Sequence, residues 1–118
     1  MTPREIDAKL AEAIGCRVKN GLWEWCSVKE RDPIKPCPRS GRTIGQSINP
    51  YYSVPTWETA GQLIEGLAAK GWLFEVRLSG ECTFKKAVYG RRPHTHLQFG
   101  PKAIAEAARI ALGIEALE

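Results

Sequence analysis

A proline- and glycine-rich stretch from Lys29 to Pro50 interrupts regular secondary structure in the middle of this chain. Proline fixes φ and removes a backbone donor, and large apolar residues are few here, so neither a helix nor a central strand is expected. The sequence therefore predicts a long, exposed, basic loop at about residues 29–50, with the regular elements on either side of it. The residues that interrupt regular structure are Pro33, Pro36, Pro38, Gly41, Gly45 and Pro50.

A helix and a hairpin are predicted before this loop. Thr2-Pro3-Arg4-Glu5 combines an N-cap threonine, a first-turn proline and an acid at N3, which predicts a capping box at the start of a helix. Gly15 is suited to the left-handed residue that ends such a helix. Between Arg17 and Val28 the apolar period shortens around Asn20-Gly21, which favours a strand or a short hairpin.

Two more helices are predicted after the loop. One runs from about Val54 to Lys70, with Ser53 as its cap and Pro55 in its first turn. Its apolar stripe begins at Trp57, which we expect in the core. The other starts at Gly100-Pro101, because proline is favoured at the first helical position.

Between these helices, alternation predicts an antiparallel hairpin. In residues 72–78 the alternation predicts a strand whose buried face carries Trp72, Phe74, Val76 and Leu78. In residues 81–89 it predicts a second strand whose buried face carries Cys82 and Phe84. Residues 95–99 offer a further short strand. Three amphipathic helices on a mainly antiparallel sheet predict an α+β layered sandwich. At 118 residues, we expect one α+β domain over residues 1–118.

Composition favours a folded protein outside the membrane. The hydrophobic fraction is 43% and the charged fraction 25%, which are ordinary values for a globular domain. The longest uncharged stretch, Thr43 to Trp57, falls short of the roughly 20 apolar residues that a membrane helix needs. The N-terminus lacks the pattern of a signal peptide. We therefore expect a cytoplasmic protein without membrane association.

The four cysteines have no C-x-x-C spacing, which favours free thiols in a reducing compartment. A zinc site made of Cys26, Cys37, His94 and His96 is the alternative on ligand types, although structural zinc sites normally draw their ligands from close pairs. His94 and His96 are otherwise interpreted as a half-exposed pair. We expect no metal and no cofactor.

An anion-binding surface is the main binding hypothesis. The formal net charge is +4, arginine forks match phosphate oxygens, and tyrosines beside them suit base stacking. The alternative is a solvated face of scattered charge. The basic residues of the loop and the pair Arg91-Arg92 are far apart in sequence and need not meet in the fold. Trp23 and Trp25 are expected in the core. The candidate ligand-binding residues are Lys35, Arg39, Arg42, Tyr51, Tyr52, Arg91 and Arg92.

Catalytic motifs are not found in the sequence. There is no Gly-x-Ser-x-Gly element, and Ser40-Gly41-Arg42-Thr43 lacks the rest of a phosphate-binding loop. We therefore expect a protein that is not an enzyme.

Four local features together resemble the phage ABA sandwich domain family. The basic insert of residues 29–49 and the Arg91-Arg92 turn have no counterpart in the pattern, and the family offers no catalytic residues to transfer. The features are Thr2 to Ala8 leading to Ile14-Gly15, Pro50-Tyr51-Tyr52-Ser53 before a helix with Trp57, the Gly71-Trp72 step into a hairpin, and the terminal helix from Ala103-Ile104 to Ala111-Leu112-Gly113.

The resemblance implies a small phage or prophage accessory protein that acts by binding. Such a protein would sequester or block a host-defence component, either a defence protein or a small anionic nucleotide signal. A nucleic-acid-binding module and a structural phage protein that forms homo-oligomers remain the alternatives.

Overall fold

The computed structural model describes residues 2–26, 35–85 and 99–115. Within these ranges the chain is a compact α+β globule in which two antiparallel two-stranded sheets, β1 with β2 and β3 with β4, accompany three helices. The α+β class is therefore confirmed. No helix in these ranges is long and apolar enough to cross a bilayer. The elements are α1 (Pro3–Ala13), β1 (Cys16–Lys19), β2 (Leu22–Cys26), α2 (Trp57–Ala68), β3 (Leu73–Val76), β4 (Cys82–Lys85) and α3 (Pro101–Ala111).

The first helix and the first hairpin form at the predicted positions, although the described structure shows only the Thr2 half of the predicted capping box. Thr2 Oγ1 accepts a hydrogen bond from the Glu5 N–H at 3.2 Å and caps α1. The β1–β2 turn consists of Asn20 and Gly21, whose φ angles of 54° and 76° are both positive, as a type I′ hairpin requires. Local sequence alone therefore specifies this part of the chain.

Both tryptophans of β2 pack on the core, to different extents. Trp23 is 4% exposed, as predicted. Trp25 is half-buried, and the Arg17 guanidinium lies 5.4 Å from its ring centroid, within the range of a cation–π contact. The pairing register shifts between Arg17 and Val18, which separates the two tryptophan environments.

The second half of the predicted loop is exposed only in part: residues 44–47 are exposed, whereas Cys37, Ser40, Ile48 and Asn49 are buried. It runs beside β2, where the Trp23 N–H donates to Gln46 O at 2.8 Å and the Gly45 N–H donates to Trp23 O at 3.0 Å. Ile48 is 2% exposed and belongs to the core. Backbone pairing with β2 explains how a stretch so rich in proline and glycine is held in place. Residues 29–34 of the predicted loop lie outside the described ranges.

The second helix begins later than predicted. It starts at Trp57 and its N-cap is Thr56, so the assignment of Ser53 as the cap is wrong. The Thr59 N–H donates to Thr56 Oγ1 at 3.2 Å and the Thr56 N–H donates to Thr59 Oγ1 at 3.0 Å, which closes a capping box. Because Pro55 follows Val54, a helical backbone is disfavoured at Val54, and the helix begins only after the Thr56 cap.

The second hairpin buries only part of the predicted face. Phe74 and Phe84 pack with ring centroids 5.0 Å apart, and β4 buries Cys82 and Phe84 as predicted. Val76 is 44% exposed and Leu78 111% exposed, so the buried face of β3 ends at Phe74. The other residues of the predicted strands, 86–89 and 95–98, lie outside the described ranges.

The Asp7 carboxylate joins α1 to the segment before α2. It is fully buried and accepts hydrogen bonds from the Tyr52 N–H at 2.6 Å, the Ser53 N–H at 2.9 Å and the Ser53 hydroxyl at 2.5 Å. Arg4, one turn earlier, supplies the countercharge at 2.9 Å. A buried carboxylate is tolerated only with such a set of donors, so Asp7 fixes how these two parts of the chain meet.

Gly66 allows α2 to approach the end of α1. A Cβ added at Gly66 would lie 2.5 Å from Ile14 Cβ and 2.6 Å from Ile14 Cγ2. Because Cβ is fixed to the backbone, rotation of the Ile14 side chain does not relieve the contact. Any side chain at position 66 therefore forces the helix apart from its neighbour.

We expect Asp7→Asn to lower the free energy of unfolding by about 3 kcal/mol, because the amide removes the charge and leaves buried donors unsatisfied. Urea denaturation monitored by circular dichroism measures this difference. Glu12→Gln, the same change at an exposed site on α1, is the control and should stay within about 0.5 kcal/mol of the wild type. Equal values for the two variants would contradict the assigned role of Asp7.

We expect Gly66→Ala to destabilise the protein by roughly 1–3 kcal/mol through overpacking against Ile14. Gly61→Ala is a matched control on the same helix, since nothing lies within 4 Å of a Cβ at that position. That control should gain roughly 0.5–1 kcal/mol through helix propensity. Opposite shifts of the two urea midpoints are the expected result, and a stabilised Gly66→Ala protein would refute the close approach.

Candidate functional site

A polar cleft lies between the turn of residues 37–42, hereafter the Cys37–Arg42 turn, and the start of α2. Its volume is about 290 Å³. The turn is closed by the Cys37 N–H donating to Arg42 O at 2.9 Å and the Gly41 N–H donating to Cys37 O at 2.8 Å. The cleft is lined by Ser40, Gly41, Arg42, Asn49, Pro50, Thr56, Glu58, Thr59 and Gln62.

Asn49 holds the walls of the cleft together. It is 6% exposed. Its Nδ2 donates to Ser40 O at 2.9 Å and to Gln62 Oε1 at 2.7 Å, and its Oδ1 accepts from Arg42 Nε at 2.5 Å. One amide thus bonds to the turn, to the α2 helix and to the arginine, so the positions of all three depend on it.

Arg42 presents the positive charge of the cleft. The bond from its Nε to Asn49 fixes one edge of the guanidinium. In the described part of the chain, its two terminal Nη groups meet no hydrogen-bond acceptor, and the side chain is half-buried. A fixed guanidinium with free donors is suited to a carboxylate or phosphate, which it binds through two parallel hydrogen bonds.

The start of α2 adds helix-end donors and one negative charge. Thr56 and Thr59 satisfy each other's backbone N–H groups through the capping box. The Trp57 and Glu58 N–H groups belong to the first turn, where backbone donors have no intrahelical acceptor and the helix dipole is positive. Glu58 places an exposed carboxylate at the cleft. The cleft therefore offers both anion-binding donors and an acceptor for a ligand N–H.

Of the predicted basic residues, the structure places Arg42 in the cleft. Arg39 is half-buried, and its Nη1 donates to Ile14 O at 3.2 Å, where a cation stabilises the C-terminal end of α1. Lys35 is exposed and does not line the cleft. Arg91 and Arg92 lie outside the described ranges, so their predicted convergence with the loop stays a prediction.

The two predicted stacking tyrosines have structural partners. Tyr51 is 1% exposed, and burial raises the pKa of its phenol, so a contact with a ligand from solvent is not supported. Tyr52 is half-buried, and its hydroxyl donates to Glu106 Oε2 at 2.6 Å. Burial and this bond raise the pKa of Tyr52. Its hydroxyl is therefore occupied by a structural partner.

Glu106 connects Tyr52 to α3. Its other carboxylate oxygen accepts from Arg109, with Arg109 Nε at 2.8 Å, in an ion pair one turn along the helix. Burial alone would raise the pKa of Glu106, but the bonds from Arg109 and Tyr52 outweigh it and lower that pKa. The tyrosine is thus held by a charged pair and has a structural role.

The exposed aromatic surface lies elsewhere, on Trp57 and Phe99. Trp57 is 60% exposed and Phe99 48% exposed, with ring centroids 5.5 Å apart. The expectation that Trp57 is a core residue is wrong, because α2 begins at this residue and its buried stripe starts only at Thr59. Trp57 lies between two residues that line the cleft, so this aromatic pair is next to it in the chain.

Sequence reasoning missed most of the cleft residues. Glu58 and Gln62 lie four residues apart on one face of α2, a spacing that marks a shared polar face. Ser40 and Asn49 offer no such signal, because their roles arise only when the loop folds back on the helix. Loop residues of this kind need the tertiary structure to be found.

The structure describes two of the four residues of the hypothetical zinc site. Cys26 and Cys37 are neighbours, with their sulfurs 2.8 Å apart. Within residues 2–26, 35–85 and 99–115, no group of three or more histidine, cysteine or acidic side chains is arranged to hold a metal ion. His94 and His96 lie outside these ranges.

No family model matches this chain, and no curated protein and no solved structure matches it either. The resemblance to the phage ABA sandwich domain family therefore stays a prediction. The cleft and its surroundings carry the inference about function.

Proposed function

We propose that this protein is a non-enzymatic binding protein that sequesters a small anionic ligand in the cleft beside the Cys37–Arg42 turn. The observation that carries the proposal is Arg42, whose guanidinium is oriented by the buried Asn49 while its Nη groups stay free within the described structure. An arginine that is held without being neutralised is arranged for an incoming anion.

The other walls of the cleft favour a nucleotide-like ligand over a simple anion. The exposed carboxylate of Glu58 is an acceptor for the amino group of a base, while Arg42 and the start of α2 suit a phosphate. A volume of about 290 Å³ lies just below the range of about 300–1,000 Å³ that is typical of ligand pockets. A mononucleotide or one half of a dinucleotide is the matching size.

The biological role follows from the resemblance to the phage family. A phage or prophage accessory protein in the host cytoplasm would bind a nucleotide signal of host defence stoichiometrically and withhold it from its receptor. The cleft supports the capture step, and the resemblance supports the context in which capture is useful.

We expect Arg42→Ala to weaken binding of adenosine and guanosine monophosphates, including their cyclic forms, by about 10- to 100-fold, the range for losing a charge-assisted hydrogen bond. Isothermal titration calorimetry measures the affinity. Arg77→Ala, on the second hairpin and 60% exposed, removes the same charge outside the cleft and should leave binding unchanged. Wild-type affinity in the Arg42→Ala protein, or equal losses in both variants, would refute the site.

A nucleic-acid-binding role is the second candidate, and the Trp57–Phe99 pair favours it. Exposed aromatic rings, one of them next in the chain to residues of the cleft that holds Arg42, offer a stacking surface for bases of a single strand. The formal net charge of +4 would assist binding to phosphates. In this role Arg42 contacts the backbone and Trp57 contacts a base.

Fluorescence anisotropy with a labelled single-stranded oligonucleotide separates the two candidates. If the chain binds nucleic acid, affinity should fall steeply with salt, and Trp57→Ala should weaken it by about tenfold through lost stacking. Leu78→Ala removes an exposed apolar side chain on the second hairpin and is the control. No binding at low salt would eliminate this candidate and leave the small-ligand proposal standing.

A further inference from the structure

Three buried cysteines meet between α1, the first hairpin and the Cys37–Arg42 turn. Cys16 and Cys26 are directly opposed in the pairing of β1 with β2, and Cys37 Sγ lies 2.8 Å from Cys26 Sγ. None of the three is more than 4% exposed. A disulfide has an S–S length of about 2.05 Å, so the sulfurs of Cys26 and Cys37 are less than about 1 Å further apart than in a disulfide.

The turn keeps the Cys37 sulfur against Cys26. Prolines on both sides of Cys37 restrict its backbone, and the Ser40 N–H donates to Cys37 Sγ at 3.5 Å. Burial disfavours the thiolate, but hydrogen bonds from Cys26 and Ser40 outweigh it and lower the pKa of Cys37. Burial instead raises the pKa of Cys16. Cys37 is therefore the thiol prepared to react, with Cys26 as its partner.

We propose that Cys26 and Cys37 are an oxidation site, which a hydroperoxide converts to a disulfide that ties the Cys37–Arg42 turn to β2. The same turn supplies Ser40 and Arg42 to the cleft, so the bond also fixes one wall of the ligand site. That second effect rests on the proposed function, whereas formation of the disulfide does not.

The reaction takes place in two steps. The Cys37 thiolate attacks one oxygen of the hydroperoxide, the O–O bond breaks, and the departing alkoxide takes a proton to leave as an alcohol. The Cys26 thiol then attacks the resulting Cys37 sulfenic acid, the S–O bond breaks, and water departs with the Cys26 proton. Two thiols lose two electrons in total, and the hydroperoxide gains them. With hydrogen peroxide, both departing molecules are water.

The test uses the full chain, which is first treated with a chelator and then exposed to hydrogen peroxide. Catalase removes the remaining peroxide, and the protein is denatured in N-ethylmaleimide, which labels the free thiols. Mass spectrometry should show that only two of the four cysteines are labelled, with a cross-linked peptide pair containing Cys26 and Cys37. The melting temperature should rise by roughly 5–15 °C and return to its starting value with dithiothreitol, because the bond lowers the conformational entropy of the unfolded chain.

Two variants give the matched comparison. Cys37→Ser should abolish both the cross-link and the melting shift, whereas Cys16→Ser should retain both. If either variant fails to fold, peptide mapping of the wild type still decides the result. A dominant Cys16–Cys26 link, or four labelled cysteines after hours in peroxide, would overturn the proposal. So would stoichiometric zinc in the untreated protein, since the thiols would then be metal ligands.

Ligand binding separates this inference from the proposed function. Oxidised protein should bind the nucleotide about threefold more tightly, because the turn loses less freedom when the ligand arrives. A disulfide with no nucleotide binding in either state would refute the proposed function alone. Unchanged affinity with the disulfide formed would refute the link between the two sites.

Discussion

The buried carboxylate of Asp7 determines how the described parts of this chain fit together. Tyr52 and Ser53 donate to it from a segment distant in sequence, and this contact sets the position of the chain just before α2 begins. A buried charge without its donors would cost several kcal/mol, so the alternatives are unfavourable. The two sequence features that Asp7 joins, the N-terminal helix and Pro50-Tyr51-Tyr52-Ser53, are also the first two on which the family resemblance rests.

The cleft follows from the same arrangement. Once Asp7 fixes the segment before α2, Asn49 lies where it can bond to the loop and to the helix together. Arg42 then takes its orientation from Asn49 and not from a charged partner. The scaffold thus orients the Arg42 side chain, and within the described ranges no acidic side chain neutralises its guanidinium. Cys37, at the other end of the same turn, places redox chemistry close to this arginine.

The sequence was sufficient for elements specified by local interactions. The cap at Thr2, the Asn20-Gly21 turn and the start of α3 at Pro101 involve neighbouring residues only, and all were predicted. The predictions were wrong where residues distant in sequence determine the environment of a side chain. Ser53 has the chemistry of a helix cap, but Asp7 engages its hydroxyl, and Tyr51 was interpreted as a surface aromatic although it packs in the core. For the cleft, Arg42 was predicted, whereas the role of Asn49 required the fold.

The tight first hairpin has a consequence for the order of folding. It closes over Asn20 and Gly21 alone, and hairpins of this kind form in about 1–10 μs. The bonds to Asp7 instead span 45 and 46 positions of the chain. During synthesis, the residues of helix α1 and the hairpin are all present before Tyr52 and Ser53 have been added, so the Asp7 carboxylate lacks these donors during that interval. The N-terminal part therefore takes its final position only after Ser53 has been synthesised.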